Sequence, residues 1–140
     1  MAKQQEIQGQ CLCGQVQVRA TVSAPGVGAC HCSACRTWGG GPFFALEDAQ
    51  EVRFEGEEHI TAYDSSKWAQ RAFCKHCGTH LYFRVKQTGH YVLPVGLLQG
   101  GADWRLDAQI FVDAKPDFYS LGESPAMLTG AQFFAQHAPG

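Results

Sequence analysis

The sequence predicts a mainly β fold, and three observations predict it. Short runs in which apolar and polar residues alternate recur along the chain, turn chemistry separates them at close intervals, and helical periodicity is weak. The first run places Val16, Val18, Ala20 and Val22 on one face, because successive side chains of a strand point to opposite sides. Further strands are expected at 43–46, 52–54, 60–63, 81–85, 91–95 and 110–112. Between the runs lie Ala24-Pro25-Gly26, Gly39-Gly40-Gly41, Glu55-Gly56, Thr88-Gly89 and Gly100-Gly101, where glycine permits and proline imposes turn conformations. Pro94 cannot donate to a ladder and marks an edge or a bulge in its run. Two helical pieces are expected. One is a short turn over 33–37; the other covers 126–136 and is entered through Ser124-Pro125, a capping serine before a first-turn proline.

With 140 residues and 45% hydrophobic composition, the chain can bury one ordinary core, so a single domain spanning residues 1–140 is expected. The start, MAKQQEIQGQ, lacks the apolar centre of a signal peptide, and no stretch approaches the roughly 18 apolar residues of a membrane span. A cytoplasmic protein without membrane contact is the expectation. A formal net charge of -2 with scattered Lys and Arg argues against nucleic acid, whose phosphates require a concentrated basic patch. A homodimer stays open.

The most informative residues are the seven cysteines, grouped as Cys11 with Cys13, Cys30 with Cys32 and Cys35, and Cys74 with Cys77. In a reducing compartment clustered thiols serve as metal ligands more often than as structural disulfides, and an odd number fits complete pairing poorly. Seven divides into a four-thiolate site and a three-thiolate site. On an extended segment Cys11 and Cys13 point the same way while Leu12 points the other. Cys74-Lys75-His76-Cys77-Gly78 reads as a knuckle whose glycine takes a conformation that bulkier residues resist. Together these four make a closed, structural zinc site. The competing reading is a pair of buried thiols beside an unrelated CxxC redox motif.

Cys30-His31-Cys32-Ser33-Ala34-Cys35-Arg36 combines both spacings, so its three sulfurs can converge on a second zinc ion with one tetrahedral position open. A thiol bound in such a position loses its proton and becomes a nucleophile at neutral pH. Water is the weaker candidate, because three thiolates already reduce the Lewis acidity of the metal. Cys30, Cys32 and Cys35 are therefore the candidate catalytic residues. Arg36, Arg71 and Lys67 are candidates to hold substrate carboxylates, and Ser33, Ser65 and Ser66 to donate to a developing alkoxide. The bland alternatives are a solvated Arg36, an Arg71 paired with the surface acid Asp64, and a Ser65-Ser66 turn. Trp38, Phe43 and Phe44 read either as an apolar wall of the site or as ordinary core. His31 should face away from the metal, and His76 and His80 could support the ligands; a histidine reaching the second ion would close the site.

The order GQCLCGQV, CHCSACR, YDSS and RAFCKHCGTHLYFR resembles the glutathione-dependent formaldehyde-activating enzyme family, which also includes centromere protein V; 115–119, KPDFY, extends the likeness more loosely. The resemblance implies an Mss4-like β-tent of small antiparallel sheets. It assigns Cys11, Cys13, Cys74 and Cys77 to a structural zinc and Cys30, Cys32 and Cys35 to a second, substrate-linked zinc. It also implies a carbon–sulfur lyase that forms S-(hydroxymethyl)glutathione from glutathione and formaldehyde, a small-molecule thiol and aldehyde. Two features depart from the family pattern: Gln109, where many relatives carry His, and the bare Gly39-Gly40-Gly41 loop. Two competitors remain. One is a non-catalytic zinc module that binds a protein; the other is a thiol redox enzyme in which Cys30, Cys32 and Cys35 act as peroxidatic and resolving thiols.

Overall fold

The computed structural model describes residues 4–23, 26–100 and 103–136. Ala24 and Pro25 of one expected turn and Gly101 of another lie outside these residues. In chain order the strands are β1 (Gln5–Gln10), β2 (Gln17–Val22), β3 (Gly26–Cys30), β4 (Phe43–Leu46), β5 (Gln50–Glu55), β6 (Ile60–Asp64), β7 (Ala69–Cys74), β8 (His80–Val85), β9 (Tyr91–Pro94), β10 (Arg105–Ile110) and β11 (Ala126–Leu128). The helices are α1 (Ser33–Gly39) and α2 (Gly130–Gln136). The fold is thus mainly β, as the alternating runs predict. Among the described residues no helix is long and apolar enough to cross a membrane.

The chain divides into two compact units. The first, Met1–Pro25 with Leu46–Asp103, holds β1, β2 and β5 as one antiparallel sheet and β6 to β9 as an antiparallel meander. Its core follows from the alternation: Ile7 on β1 and Val18, Ala20 and Val22 on β2 are buried while their neighbours are exposed or partly so. Leu46, Leu81 and Leu93 are completely or almost completely enclosed.

The second unit, Gly26–Ala45 with Trp104–Gly140, is built on β3. That strand pairs antiparallel with β4 and parallel with β10, and β10 in turn pairs parallel with β11. The all-antiparallel expectation therefore holds for the first unit, whereas the second is mixed. The reason is separation along the chain: tight turns enforce antiparallel neighbours, while β3 and β10 come from distant segments.

Four strands fall outside the expected runs. β1 (QEIQGQ) carries one large apolar residue, β3 (GVGAC) is made of small residues, β7 (AQRAFC) is buried on both faces, and β11 has three residues. None offers large apolar residues repeated at a period of two, the sequence mark of a half-buried strand. The run at 110–112 ends early, because Phe111 takes a left-handed φ of 56° and turns the chain out of β10. Pro94 closes β9 and caps a 3-10 turn. The C-terminal segment is a strand over Ala126–Leu128 before it becomes a helix. Thr129, not Ser124, opens α2: its Oγ1 accepts from the amide of Gln132 (3.1 Å), and Gln132 Oε1 accepts from the amide of Thr129 (2.9 Å). This is a reciprocal capping box.

Candidate functional site

The structure gathers the seven thiols into the two groups that the spacing predicts. In the first unit Cys11, Cys13, Cys74 and Cys77 have all their sulfurs within 4.8 Å of one another, and in the second unit so do Cys30, Cys32 and Cys35. All seven are free thiols.

Two turns build the four-thiol group. Residues 11–14 form a turn instead of the extended segment expected from their spacing, because the amide of Gly14 donates to the carbonyl of Cys11 and the amide of Cys11 to Val16, both at 3.0 Å. This turn joins β1 to β2 and aims the Val16 amide at Cys11 Sγ (3.4 Å). The second turn joins β7 to β8: Gly78 donates to the carbonyl of Cys74 (2.8 Å), and Cys74 donates to Thr79 (2.9 Å). Gly78 has a φ of 78°, which explains the glycine after the knuckle.

Cys11 and Cys13 sulfurs lie 3.5 Å apart, and those of Cys13 and Cys74 lie 3.7 Å apart. Thiolates on tetrahedral zinc, with Zn–S near 2.3 Å, stand about 3.8 Å apart. The donor set and its spacing therefore suit zinc. The electrostatics point the same way. At Cys13 the amide of Gln15 favours the thiolate, yet burial and the neighbouring sulfurs push the thiol up to about 12. Cys77 is drawn down to about 5, first by the hydroxyl and then by the amide of Thr79. Four thiols this close ionise together only when a cation shares their charge.

Thr79 is a site residue that ligand spacing does not reveal. Its Oγ1 accepts from the amide of Leu12 (3.1 Å) and lies 3.2 Å from Cys77 Sγ. With the oxygen's acceptor role taken by Leu12, its proton is free to point at the sulfur.

The three-thiol group sits where β3 passes into α1. Cys30 is the last residue of β3, Cys32 caps α1 by accepting from the amide of Cys35 at its sulfur (3.3 Å), and Cys35 is buried in the first turn. A candidate ligand thus doubles as a helix cap. Gly40 ends α1 in a left-handed conformation (φ 87°) and donates to the carbonyl of Arg36 (2.7 Å). A Cβ at Gly39 or Gly41 would meet nothing within 4 Å, so this loop is open and only Gly40 is demanded by backbone geometry. The thiol of Cys30 is held above its ordinary value, first by the sulfurs of Cys32 and Cys35 and then by burial. That donor set too has the composition and spacing to take a cation.

His31, between two of these thiols, is fully buried. Its Nδ1 lies 2.8 Å from the Tyr119 hydroxyl and its Nε2 lies 2.9 Å from Gln109 Oε1. Both ring nitrogens are taken, so His31 caps neither thiol group. Gln109 is also buried, and its amide nitrogen donates to the carbonyl of Gly122 and to Ser124 Oγ, each at 2.9 Å. Burial holds the Tyr119 phenol above its ordinary value against the pull of Arg36, which keeps its proton available. Gln109 was legible only as a departure from a family pattern, and the partnership with His31 and Tyr119 could not be read from spacing.

The expected substrate contacts divide between the units. Ser33 and Arg36 belong to α1 itself; Ser33 is exposed, and Arg36 Nε donates to the carbonyl of His31 (2.9 Å). Ser65, Ser66 and Arg71 belong to the first unit. Ser65 and Ser66 form the turn between β6 and β7, with Ser65 Oγ donating to the carbonyl of Ala69 (3.5 Å) and Ser66 Oγ accepting from Trp68 (3.4 Å). Arg71 is a buried residue of β7 stacked 5.0 Å above Phe83, while Asp64 is engaged by Gln70 and Lys86. Lys67 lies exposed in the same turn. Trp38 and Phe43 pack edge to face with centroids 5.7 Å apart, and Phe44 is 36% exposed, so these aromatics line a surface and none is fully enclosed. His76 Nε2 lies 2.8 Å from His59 Nδ1, and His80 is half-buried.

Residues 6–114 match the sequence model of the family described as glutathione-dependent formaldehyde-activating enzyme. An uncharacterized lyase of Schizosaccharomyces pombe is 36% identical over 125 residues, which cover 89% of this chain and 91% of the relative. A Podospora anserina protein, provisionally named a glutathione-dependent formaldehyde-activating enzyme, is 34% identical over 83 residues; the match spans 55% of this chain and only 38% of that protein. A crystal structure of a Rhodobacter sphaeroides protein shares the fold with a TM-score of 0.55 at 24% identity, covering 86% of this chain and 98% of the other.

Proposed function

We propose, since the chain belongs to the glutathione-dependent formaldehyde-activating enzyme family, that it joins a small thiol, glutathione in the first place, to formaldehyde as a carbon–sulfur lyase of the S-(hydroxymethyl)glutathione synthase type. Cys11, Cys13, Cys74 and Cys77 hold a structural zinc, and Cys30, Cys32 and Cys35 hold a second, catalytic one. The observation that carries this reading is the convergence of three thiols, with a neighbouring histidine whose nitrogens are both engaged elsewhere. A zinc ion held by that group would supply the charge that favours a bound thiolate at neutral pH, and three protein thiolates are one ligand fewer than zinc usually takes.

The chain's own residues do the rest. Cys30, Cys32 and Cys35 would hold the second ion, and the end of α1 that follows them is bare, since a Cβ at Gly39 or Gly41 would meet nothing within 4 Å. Arg36, anchored to the backbone through Nε, keeps its terminal nitrogens for a carboxylate of the thiol substrate. Ser33, exposed at the start of α1, offers a hydroxyl to the aldehyde oxygen. In the reaction the substrate sulfur forms a bond to the aldehyde carbon, the carbonyl π pair moves to oxygen, and the proton lost by the thiol ends on that oxygen. No net oxidation occurs.

Thiols and aldehydes also combine unaided, so the test is acceleration over buffer, read by exchange NMR with glutathione and labelled formaldehyde. The wild-type chain should accelerate the exchange and Cys35→Ser should not. Equal exchange in buffer, wild type and variant would remove the enzymatic reading.

A further inference from the structure

His31 is restrained at every polar atom it has. Its amide donates to the carbonyl of Ile110 (3.1 Å), its carbonyl accepts from Arg36 Nε (2.9 Å), and its two ring nitrogens meet Tyr119 and Gln109. The identity of each ring partner follows from chemistry. The carbonyl of Gly122 can only accept, so the amide nitrogen of Gln109 faces it and Oε1 faces the histidine. Nε2 of His31 must then carry the proton, and Nδ1 of the neutral ring accepts from the Tyr119 hydroxyl. The partners are themselves fixed. Gln109 uses both its amide oxygen and its nitrogen, and Lys115 Nζ clamps the loop before Tyr119 by donating to the carbonyls of Pro116 and Tyr119.

Resting on the reading of Cys30, Cys32 and Cys35 as metal ligands, we propose that Gln109 and Tyr119 are positioning residues for that group: they lock His31 in its Nε2–H tautomer, and the locked ring sets the backbone from which Cys30 and Cys32 project. His31 is the residue that joins those two ligands, and a ring held at both nitrogens, with the backbone amide and carbonyl also bonded, fixes the Cα from which the peptide units to Cys30 and Cys32 run. Outer partners of this kind hold ligands in a geometry the metal accepts, and their loss costs roughly 10- to 100-fold in metal affinity. A purely structural role predicts something else, a loss of overall stability shared by both thiol groups.

The test uses the full chain with cobalt(II) as the metal, since its absorption distinguishes four-thiolate from three-thiolate coordination, together with nitrogen-15 NMR of the His31 ring. The wild-type chain should bind two cobalt ions and show a protonated Nε2 and a bare Nδ1. Tyr119→Phe, which keeps the ring and removes one hydroxyl, should weaken the three-thiolate cobalt about tenfold and leave the four-thiolate cobalt unchanged. Gln109→Met should do the same and shift His31 away from the single Nε2–H form. The proposal is overturned if wild-type His31 carries its proton on Nδ1, if both variants bind the second cobalt as tightly as wild type, or if both cobalt sites weaken alike. A wild-type chain that binds only the four-thiolate cobalt would sink the ligand assignment itself, and the tautomer reading would still decide whether Gln109 and Tyr119 hold His31.

Discussion

Thr79 brings two hydrogen bonds to one oxygen, one from the amide beside Cys11 and Cys13 and one shared with Cys77. It thereby couples the two turns that supply the four thiols. Thr79→Val keeps the side-chain shape and removes the hydroxyl, so zinc affinity of this site should fall about tenfold. Competition with a chromophoric chelator measures it, and the three-thiolate site serves as the internal control. The two thiol groups were legible in the sequence because the cysteines of each cluster lie close along the chain, where spacing dictates geometry. Thr79, Gln109 and Tyr119 were not legible as partners, because their roles depend on contacts across the fold. The Tyr119–His31 contact alone spans 88 positions.

At the scale of elements, the two helices show what capping chemistry can and cannot reveal. Ser124-Pro125 has the composition of a helix start, yet Ser124 Oγ accepts from Gln109 and the next residues pair with β10 as a strand. The capping box that does open α2, Thr129 with Gln132, stands in the sequence five residues later. Propensity was overridden there by strand pairing, which a local pattern cannot register. Thr129→Ala should destabilise the chain by about 1 kcal/mol, read as a shift in urea midpoint without change in metal content. The helix α1 differs in that its cap is a candidate metal ligand, Cys32, and its end is set by the left-handed Gly40. Its glycines were read in the sequence as removing bulk, and the structure adds that one of the three is required by backbone conformation.

At the scale of the molecule, the antiparallel strands of the first unit were largely legible and the parallel pairings of β3, β10 and β11 were not. Hairpin neighbours are announced by turn residues, whereas parallel neighbours carry no local mark. The four-thiol group binds sequence positions far apart, since Cys13 and Cys74 are separated by 61 positions. Cross-linking so long a loop limits the entropy of the unfolded chain more than the three-thiol group does, whose members lie within six residues of each other. Structural zinc also contributes folding free energy directly. Cys74→Ser should therefore lower the thermal midpoint markedly, while Cys35→Ser should lower it little and remove thiol chemistry. Calorimetry on both zinc-loaded variants reads this contrast, and equal losses would contradict the division into a structural and a catalytic site.

The most direct test of that division is a titration of the cobalt-loaded chain with glutathione, followed by the sulfur-to-cobalt charge-transfer band. The account predicts that one of two bound ions gains a fourth thiolate in a saturable step, and that Cys35→Ser abolishes it. A spectrum unmoved by glutathione, with both ions already fully coordinated by the protein, would contradict the account.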